Sequence, residues 1–478
     1  MSFKYMNRDR YNEIKSYLRE LIKGTEWEGN VYAVGGCVRD DIMGAEVKDV
    51  DMCVTIPAGG IRFAEWLHDS GYTRHDVVVY PQYGTAMLKL LAFPDEELEF
   101  VQTRKEKYLN SSSRNPETVF GTIEEDCMRR DLTINALYCD ISSNAIVDVT
   151  GTSLHDIEHK VIRTPADPDL TYDDDPLRIL RCIRFASRYG WDIEEDTFNG
   201  MLRNVHRLSI ITRERVKDEL NKMLVSANPV MAMELLRTTG AMHYVIPALE
   251  ETYDMEQNEY HFGTVWEHTL AVLNNIGSKR LELRMAALLH DIGKIRVRSV
   301  DNGKVHFLRH DEAGAKMVDE ILRPLKYSND FINEVTFLVR HHMDTKAWGG
   351  ECEAMKLKRL RKLQYICKTE ERFRDLMTLI DADNRAHSVD HCMPRQVDII
   401  LERTEKMKAE GSAMFGYKLP LSGKEIMELK GMSSGPEVKE CLEFLLKLAF
   451  VNPLRDREEF IKHVRGYRIE NQQNCNSN

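Results

Sequence analysis

Val31-Tyr32-Ala33-Val34-Gly35-Gly36-Cys37-Val38-Arg39-Asp40, followed closely by Val47-Lys48-Asp49-Val50-Asp51-Met52-Cys53-Val54, is the stretch that decides how this chain folds. The first run predicts a short strand over Val31–Val34 that ends on a glycine pair, with a helix beginning near Val38. The second predicts a strand over Val47–Val54. Side chains two apart on a strand share a face, so Asp49 and Asp51 point the same way. Two carboxylates so placed can hold two Mg²⁺ ions roughly 3.5–4 Å apart, the geometry of in-line phosphoryl or nucleotidyl transfer. Glu99, within the apolar run Leu98–Val101, is the candidate third carboxylate. Gly35 and Gly36 let the backbone approach a triphosphate, the helix start aims N–H groups at it, and Arg39 adds positive charge.

Outward from this stretch, residues ~8–24 read as an amphipathic helix and ~61–70 as another, with strands over Thr85–Leu91 and Glu97–Gln102. The pattern is that of an α/β head with a small mixed sheet. Residues ~105–126 are polar and turn-rich and read as a mobile loop. From Asp174 onward the periodicity is helical. A polar bridge at 250–260 precedes a histidine-rich helical region, and the last helical block covers ~395–466. The expected division is a head over 1–150, a helical neck over 151–250, a third domain over 251–395 and a helical tail over 396–478.

Composition narrows the class. Of 478 residues, 42% are hydrophobic and 30% charged, as in ordinary globular proteins. No apolar run approaches the ~18 residues needed to span a bilayer, and the polar N-terminus lacks a signal-peptide core, so a cytoplasmic protein without membrane attachment is expected. Ten cysteines without a C-x-x-C pair point to reduced thiols. A net charge of −11 argues against non-specific coating of nucleic acid and leaves local basic stretches, Arg104–Arg130, Arg178–Lys222 and Lys356–Arg374, as candidate RNA contacts.

Asp175 and Arg178 are three apart at a predicted helix start and so share a face. Cytosine and adenine each present an amino donor beside a ring-nitrogen acceptor; guanine and uracil present a carbonyl beside an N–H. One accepting carboxylate and one donating guanidinium therefore pair with C or A and reject G and U, without a template strand. Arg178, Arg181, Arg184 and Arg188 form a basic stripe suited to triphosphate and RNA backbone. Farther on, His268, the adjacent pair His290-Asp291 and a later aspartate, Asp383 with Asp381 as competitor, make an H…HD…D pattern. Imidazole with carboxylate suits a divalent metal whose identity the pattern leaves open, and His310, His341 and His342 can extend the site.

Gly-Gly-x-x-Arg-Asp followed by Asp-x-Asp resembles the nucleotidyltransferase superfamily that includes DNA polymerase beta. More closely it resembles the class II tRNA nucleotidyltransferases and bacterial poly(A) polymerases with an appended HD domain. Arg129-Arg130-Asp131-Leu132-Thr133-Ile134-Asn135-Ala136 is similar to that family's R-R-D-F-T-I-N-A motif, with Leu132 for Phe. The resemblance implies that Asp131 accepts from a ribose hydroxyl, Arg130 meets phosphate and Asn135 supports the sugar. Asp174-Asp175-Pro176-Leu177-Arg178 resembles the base-selecting E-D-x-x-R, with Asp174 for Glu. Glu214-Arg215 through Glu219-Leu220 matches the E-R-x-x-x-E-L run, read as a brace. Leu421–Lys424 with Ser434–Pro436 looks like the family's tail, and His290-Asp291 its HD domain. The implied activity is addition or repair of the 3′-terminal CCA of tRNA from CTP and ATP. The alternatives are a poly(A) polymerase, or an HD phosphohydrolase with a non-catalytic head. Tyr83-Gly84-Thr85-Ala86 stands where poly(A) polymerases of this class carry a Gly-Arg-Arg-Phe-like run, which favours CCA. The 105–126 loop, an element that in the family permits the switch from C to A, favours full CCA over CC alone.

Overall fold

A computed structural model of the protein describes residues 6–107, 117–258, 260–261 and 263–467. The chain divides into two compact units, residues 1–247 and 248–478. Among the described residues no helix is long and apolar enough to cross a membrane. All described cysteines are free thiols, and all but Cys392 are buried.

The first unit is built on a seven-stranded mixed sheet. Its strands are β1 (Val31–Val34), β2 (Val50–Val54), β3 (Val78–Tyr80), β4 (Thr85–Leu90), β5 (Phe93–Gln102), and, after a separate ribbon of β6 (Arg104–Lys107) and β7 (Glu117–Phe120), β8 (Leu137–Asp140) and β9 (Ile146–Asp148). The order is β3-β4-β5-β2-β1-β8-β9, and β2 and β5 run parallel while their neighbours are antiparallel. Alternation sorts the faces. Val50, Met52 and Val54 of β2 and Leu98 and Phe100 of β5 join a core with Tyr11, Ile14 and Leu18 of α1 (Arg8–Ile22) and, beyond α2 (Gly36–Ile42), with Phe63 and Leu67 of α3 (Gly59–Asp69). The intervening Asp51 and Glu99 therefore lie on the opposite face, where Cys53 meets a smaller cluster of Val34, Cys127 and Tyr138.

Two sequence expectations shift here. The strand expected from Val47 begins at Val50, because Val47 pairs with Met6 while the ladder with β5 starts at Val50 opposite Leu98. The stretch expected as a loop over ~105–126 contains the β6–β7 ribbon and a helix, α4 (Ile123–Met128). The helix is fixed by a capping box in which Thr122 and Glu125 satisfy each other's backbone N–H groups. Residues 108–116 of that stretch lie outside the described residues.

The rest of this unit is helical: α5 (Ser153–His159), α6 (Pro168–Asp174), α7 (Leu177–Tyr189), α8 (Glu195–Asn204), α9 (Arg213–Leu224), α10 (Pro229–Thr238) and α11 (Met242–Val245), with one two-residue strand pair, Val161–Ile162 beside Asp192–Ile193. Ile179, Leu180, Cys182, Ile183 and Ala186 bury one face of α7.

The second unit is helical apart from a small hairpin, Ser299–Asp301 with Lys304–His306. Its helices are α12 (Val265–Asn275), α13 (Leu281–Leu289), α14 (Lys294–Val297), α15 (His310–Leu322), α16 (Asn329–His341), α17 (Leu357–Cys367), α18 (Glu370–Arg385), α19 (Gln396–Ala409), α20 (Gly423–Lys430), α21 (Pro436–Val451) and α22 (Arg457–Gly466). A separate apolar core of Leu421, Ile426, Cys441, Leu445, Phe460 and Val464 organises its C-terminal part.

Candidate active site and second metal centre

Asp51 and Glu99 are direct partners in the parallel ladder between β2 and β5 and share the open face of the sheet. Burial, then Glu99 and Asp49, pushes the Asp51 carboxyl up to about 6; burial also raises Glu99. Carboxylates that repel one another on a half-buried face are the donor set a hard divalent cation neutralises, so these residues fit Mg²⁺. Asp49 stands just before β2 with a largely exposed side chain, 3.3 Å from Lys48.

The glycine pair does what its position requires. Gly35 has φ 76°, a conformation L side chains rarely adopt, and a Cβ there would stand 3.3 Å from Nη1 of Arg130. The turn and the arginine thus pack together, and α2 begins at Gly36, earlier than Val38. Arg130 is fastened by Asp126, buried at 0% exposure, whose Oδ2 accepts from Arg130 Nη2 at 2.9 Å and from the Tyr138 hydroxyl at 2.7 Å. Burial alone would raise the Asp126 carboxyl; Arg130 and Arg129 outweigh it and hold it at about 2.

Arg39 is buried. It bonds to Asp40 and to Oδ1 of Asn135 and lies over the rings of Phe185 and Tyr189. Asn135 in turn donates to Asp131 at 3.0 Å, and Asp131 accepts from Arg181 Nε at 2.7 Å. Arg184 is bound to Glu219 at 2.5 Å. Two members of the expected basic stripe are therefore internally paired, Arg184 buried and Arg181 half-buried, and they tie α7 to the 131–135 segment and to α9.

Asp175 ends α6. It accepts from the Leu177 N–H at 3.1 Å and from Arg215 Nη2 at 2.7 Å. Arg178 is 8% exposed, donates to the Thr171 carbonyl at 3.2 Å and approaches Asp174 at 3.9 Å. The two expected base readers sit together at the junction of α6 and α7, each with a different partner.

In the second unit His268, His290 and Asp291 bring ligand atoms within 4.8 Å of one another, as do Asp291, His310 and His342. The two sets share Asp291. Its Oδ1 lies 3.2 Å from His310 and 3.9 Å from His342; its Oδ2 lies 3.3 Å from His290 and 3.6 Å from His268. Burial would raise Asp291, yet Lys294, 2.7 Å away, and His290 hold it well below the usual carboxylate range. The Lys294 ammonium stands on Oδ2, and burial, with His310 and His290, lowers His342 to about 3. Two pairs of imidazoles around one shared, buried carboxylate are a donor set that fits a divalent metal. Asp383 meets His268 at 3.1 Å and Lys346 at 2.8 Å. Asp381 instead pairs with Arg385, and His341 with Asp344, so neither enters the cluster.

Comparison with known proteins places this geometry. Three family models match: the poly A polymerase head domain over 31–163, the probable RNA and SrmB-binding site of polymerase A over 190–252, and the HD domain over 259–372. The multifunctional CCA protein of Neisseria gonorrhoeae is 30% identical over 373 residues, 75% of this chain and 85% of that protein. The chain belongs to the tRNA nucleotidyltransferase family. The CC-adding tRNA nucleotidyltransferase of Thermus thermophilus is 28% identical over 92% of this chain and 94% of its own. The Bacillus stearothermophilus CCA-adding enzyme solved with CTP has the same fold, with a TM-score of 0.66 at 21% identity over 91% of this chain and 92% of that one.

Several residues beyond the sequence motifs of this tRNA nucleotidyltransferase pack into the two candidate sites. Asp126 and Tyr138 shape the position of Arg130. In the HD domain, Lys294 bonds Gln257 at 2.6 Å and nears His261 at 3.4 Å; Lys346 bonds Asn384 at 2.9 Å and nears His387 at 3.4 Å. Lys294 follows His290-Asp291 by one helical turn, a spacing that would have flagged it. Gln257, Lys346 and His387 carry no local signal, since only the packing of distant helices brings them in.

Proposed function

We propose that the protein adds or repairs the 3′-terminal CCA of tRNA, using CTP and ATP. The carrying observation is Asp51 facing Glu99 on the open side of the sheet, in a chain of this family. Asp51, with Glu99 and Asp49, would hold Mg²⁺. Bound there, the cation supplies charge neutralisation for attack of the tRNA 3′-hydroxyl on the nucleotide α-phosphorus, with release of pyrophosphate. The chain's own residues bind and orient. The Gly35–Gly36 turn admits the triphosphate, Arg130 and Arg39 set positive charge beside it, and Asp131 with Asn135 meets the ribose. Arg181 and Arg184 fix α7, on which Arg178 sits. Asp175 accepts from the amino group of C or A and Arg178 donates to the ring nitrogen.

The assay offers tRNA lacking its last three nucleotides with CTP, ATP or both, and sizes the products. Two additions with CTP alone and three with both support the reading. Long A-tails with CTP ignored would make it a poly(A) polymerase, and a halt after two additions a CC-adding enzyme.

The shared Asp291 favours a second reading for the second unit: a phosphohydrolase site using a divalent metal held by His268, His290, Asp291 and Asp383, with His310 and His342 beside them. Loss of phosphate-ester hydrolysis in Asp291→Asn, with CCA addition retained, would support it. We also propose the division into head (1–150), neck (151–250), HD domain (251–395) and tail (396–478), the tail contacting tRNA, and a cytoplasmic location.

A further inference from the structure

The Asp126 carboxylate has two sides. Oδ2 faces the nucleotide cradle, where it holds Arg130 and Tyr138. Oδ1 faces the ribbon: it accepts from the Arg104 N–H at 3.2 Å and from Arg129 Nη2 at 2.6 Å. Arg129 Nε reaches both Oδ1 and the Arg104 carbonyl, each at 3.0 Å. Arg104 is the first residue of β6, whose register places it opposite Phe120 at the end of β7. Arg130 stands against the Gly35 turn and donates to the Asn135 carbonyl at 3.3 Å. Thus one fully buried group is bonded to the root of the ribbon on one oxygen and to the cradle arginine on the other.

A buried carboxylate satisfied by several donors is rigid, because each lost partner leaves an expensive unpaired group. A shift of the ribbon root therefore moves Asp126, and with it Arg130. The reverse also holds: a triphosphate that pulls Arg130 forward loads Asp126 and the ribbon root. Coupling between two sites is reciprocal.

We propose that Asp126 is a positioning residue that links the β6–β7 ribbon to the Arg130 side of the nucleotide cradle, so that nucleotide binding and ribbon conformation report on each other. The proposal rests on the assignment of the Gly35–Arg130 cradle to the nucleotide. Its ligand class is a nucleoside triphosphate.

The test uses the full chain with Mg²⁺ and either CTP or ATP, without tRNA so that no addition occurs. Hydrogen exchange is followed at the amides of 104–107 and 117–120 beside nucleotide affinity. In the wild type, nucleotide slows exchange in the ribbon. Arg129→Ala removes the Arg129 bonds to Oδ1 and to the Arg104 carbonyl and leaves the Arg104 N–H on Oδ1; it is expected to bind nucleotide within about threefold of wild type and to show a weakened ribbon response. Asp126→Asn keeps the shape but cannot accept on both sides; in a separate addition assay with tRNA its KM for both nucleotides is expected to rise roughly tenfold or more with kcat changed less. Nucleotide binding without a ribbon response in the wild type, or an unaltered response in Arg129→Ala, overturns the link while leaving the cradle standing. Failure of the wild type to bind either nucleotide overturns the cradle assignment and the link together. Should Asp126→Asn fold poorly, Arg129→Ala decides.

Discussion

Arg215, on α9, holds the Asp175 carboxylate at 2.7 Å, whereas Arg178, the neighbour expected to act with it, is turned to the Thr171 carbonyl. The proposed base reader is thus split between two helices, each half held by a different partner. Removing Arg178 leaves an acceptor without its donor. Arg178→Ala is expected to lower the preference for CTP and ATP over UTP and GTP by roughly a hundredfold, read as ratios of kcat/KM. Unchanged rejection of UTP and GTP would count against the templating role.

Asp51→Ala is expected to reduce nucleotide addition by at least about a thousandfold, because in the proposed mechanism this residue would hold the cation on which charge neutralisation depends. The fold should not suffer. The Asp51 carboxyl is raised to about 6 by burial and by its acidic neighbours, so its ionised form opposes folding above the ordinary carboxylate range and the native state gains stability as pH falls through about 6. In metal-free buffer at pH 7.5, an illustrative pH about a unit and a half above that value, the variant should therefore melt at or above the wild-type temperature. A lower melting temperature would point to a structural role instead.

The same shift sets a pH dependence. Protonated Asp51 cannot hold a cation, so addition at low Mg²⁺ should decline as pH falls through about 6. Higher Mg²⁺ competes with the proton and should move that limb to lower pH. A limb that stays fixed across a Mg²⁺ titration would assign it to another group.

The sheet and its carboxylates were legible because alternation is a local signal: Asp51 and Glu99 interrupt apolar runs whose other members enter the core. The ribbon was not. Lys105 and Val119 pair across a gap of polar residues with no apolar alternation, so the stretch reads as a loop until the partner strand is known. The pairing of the stripe on α7 was not legible for a related reason. Helical periodicity shows that Arg181 and Arg184 share a flank, but their partners, Asp131 and Glu219, lie 50 and 35 residues away. Asp383 and Asp381 sit on the same helix and differ only in the direction they face, which the contacts with His268 and Arg385 decide.

The two oxygens of Asp291 face different histidine sets, Oδ1 toward His310 and His342 and Oδ2 toward His290 and His268. This asymmetry gives the last prediction. If both sets bind metal, Asp291 belongs to both and each histidine to one. Asp291→Asn should then remove all high-affinity divalent metal from the second unit, whereas His310→Ala should remove only part of it. Metal content by elemental analysis after loading with Mn²⁺ distinguishes the two, and Asn keeps the side-chain volume so that packing is preserved. Lys294, 2.7 Å from Asp291, would be left beside a neutral amide in the Asn variant, so a modest loss of thermal stability is expected along with the metal. CCA addition should be unchanged in both variants, since none of these residues belongs to the head site. Equal metal loss in His310→Ala and Asp291→Asn would instead indicate a single ion held jointly by both sets.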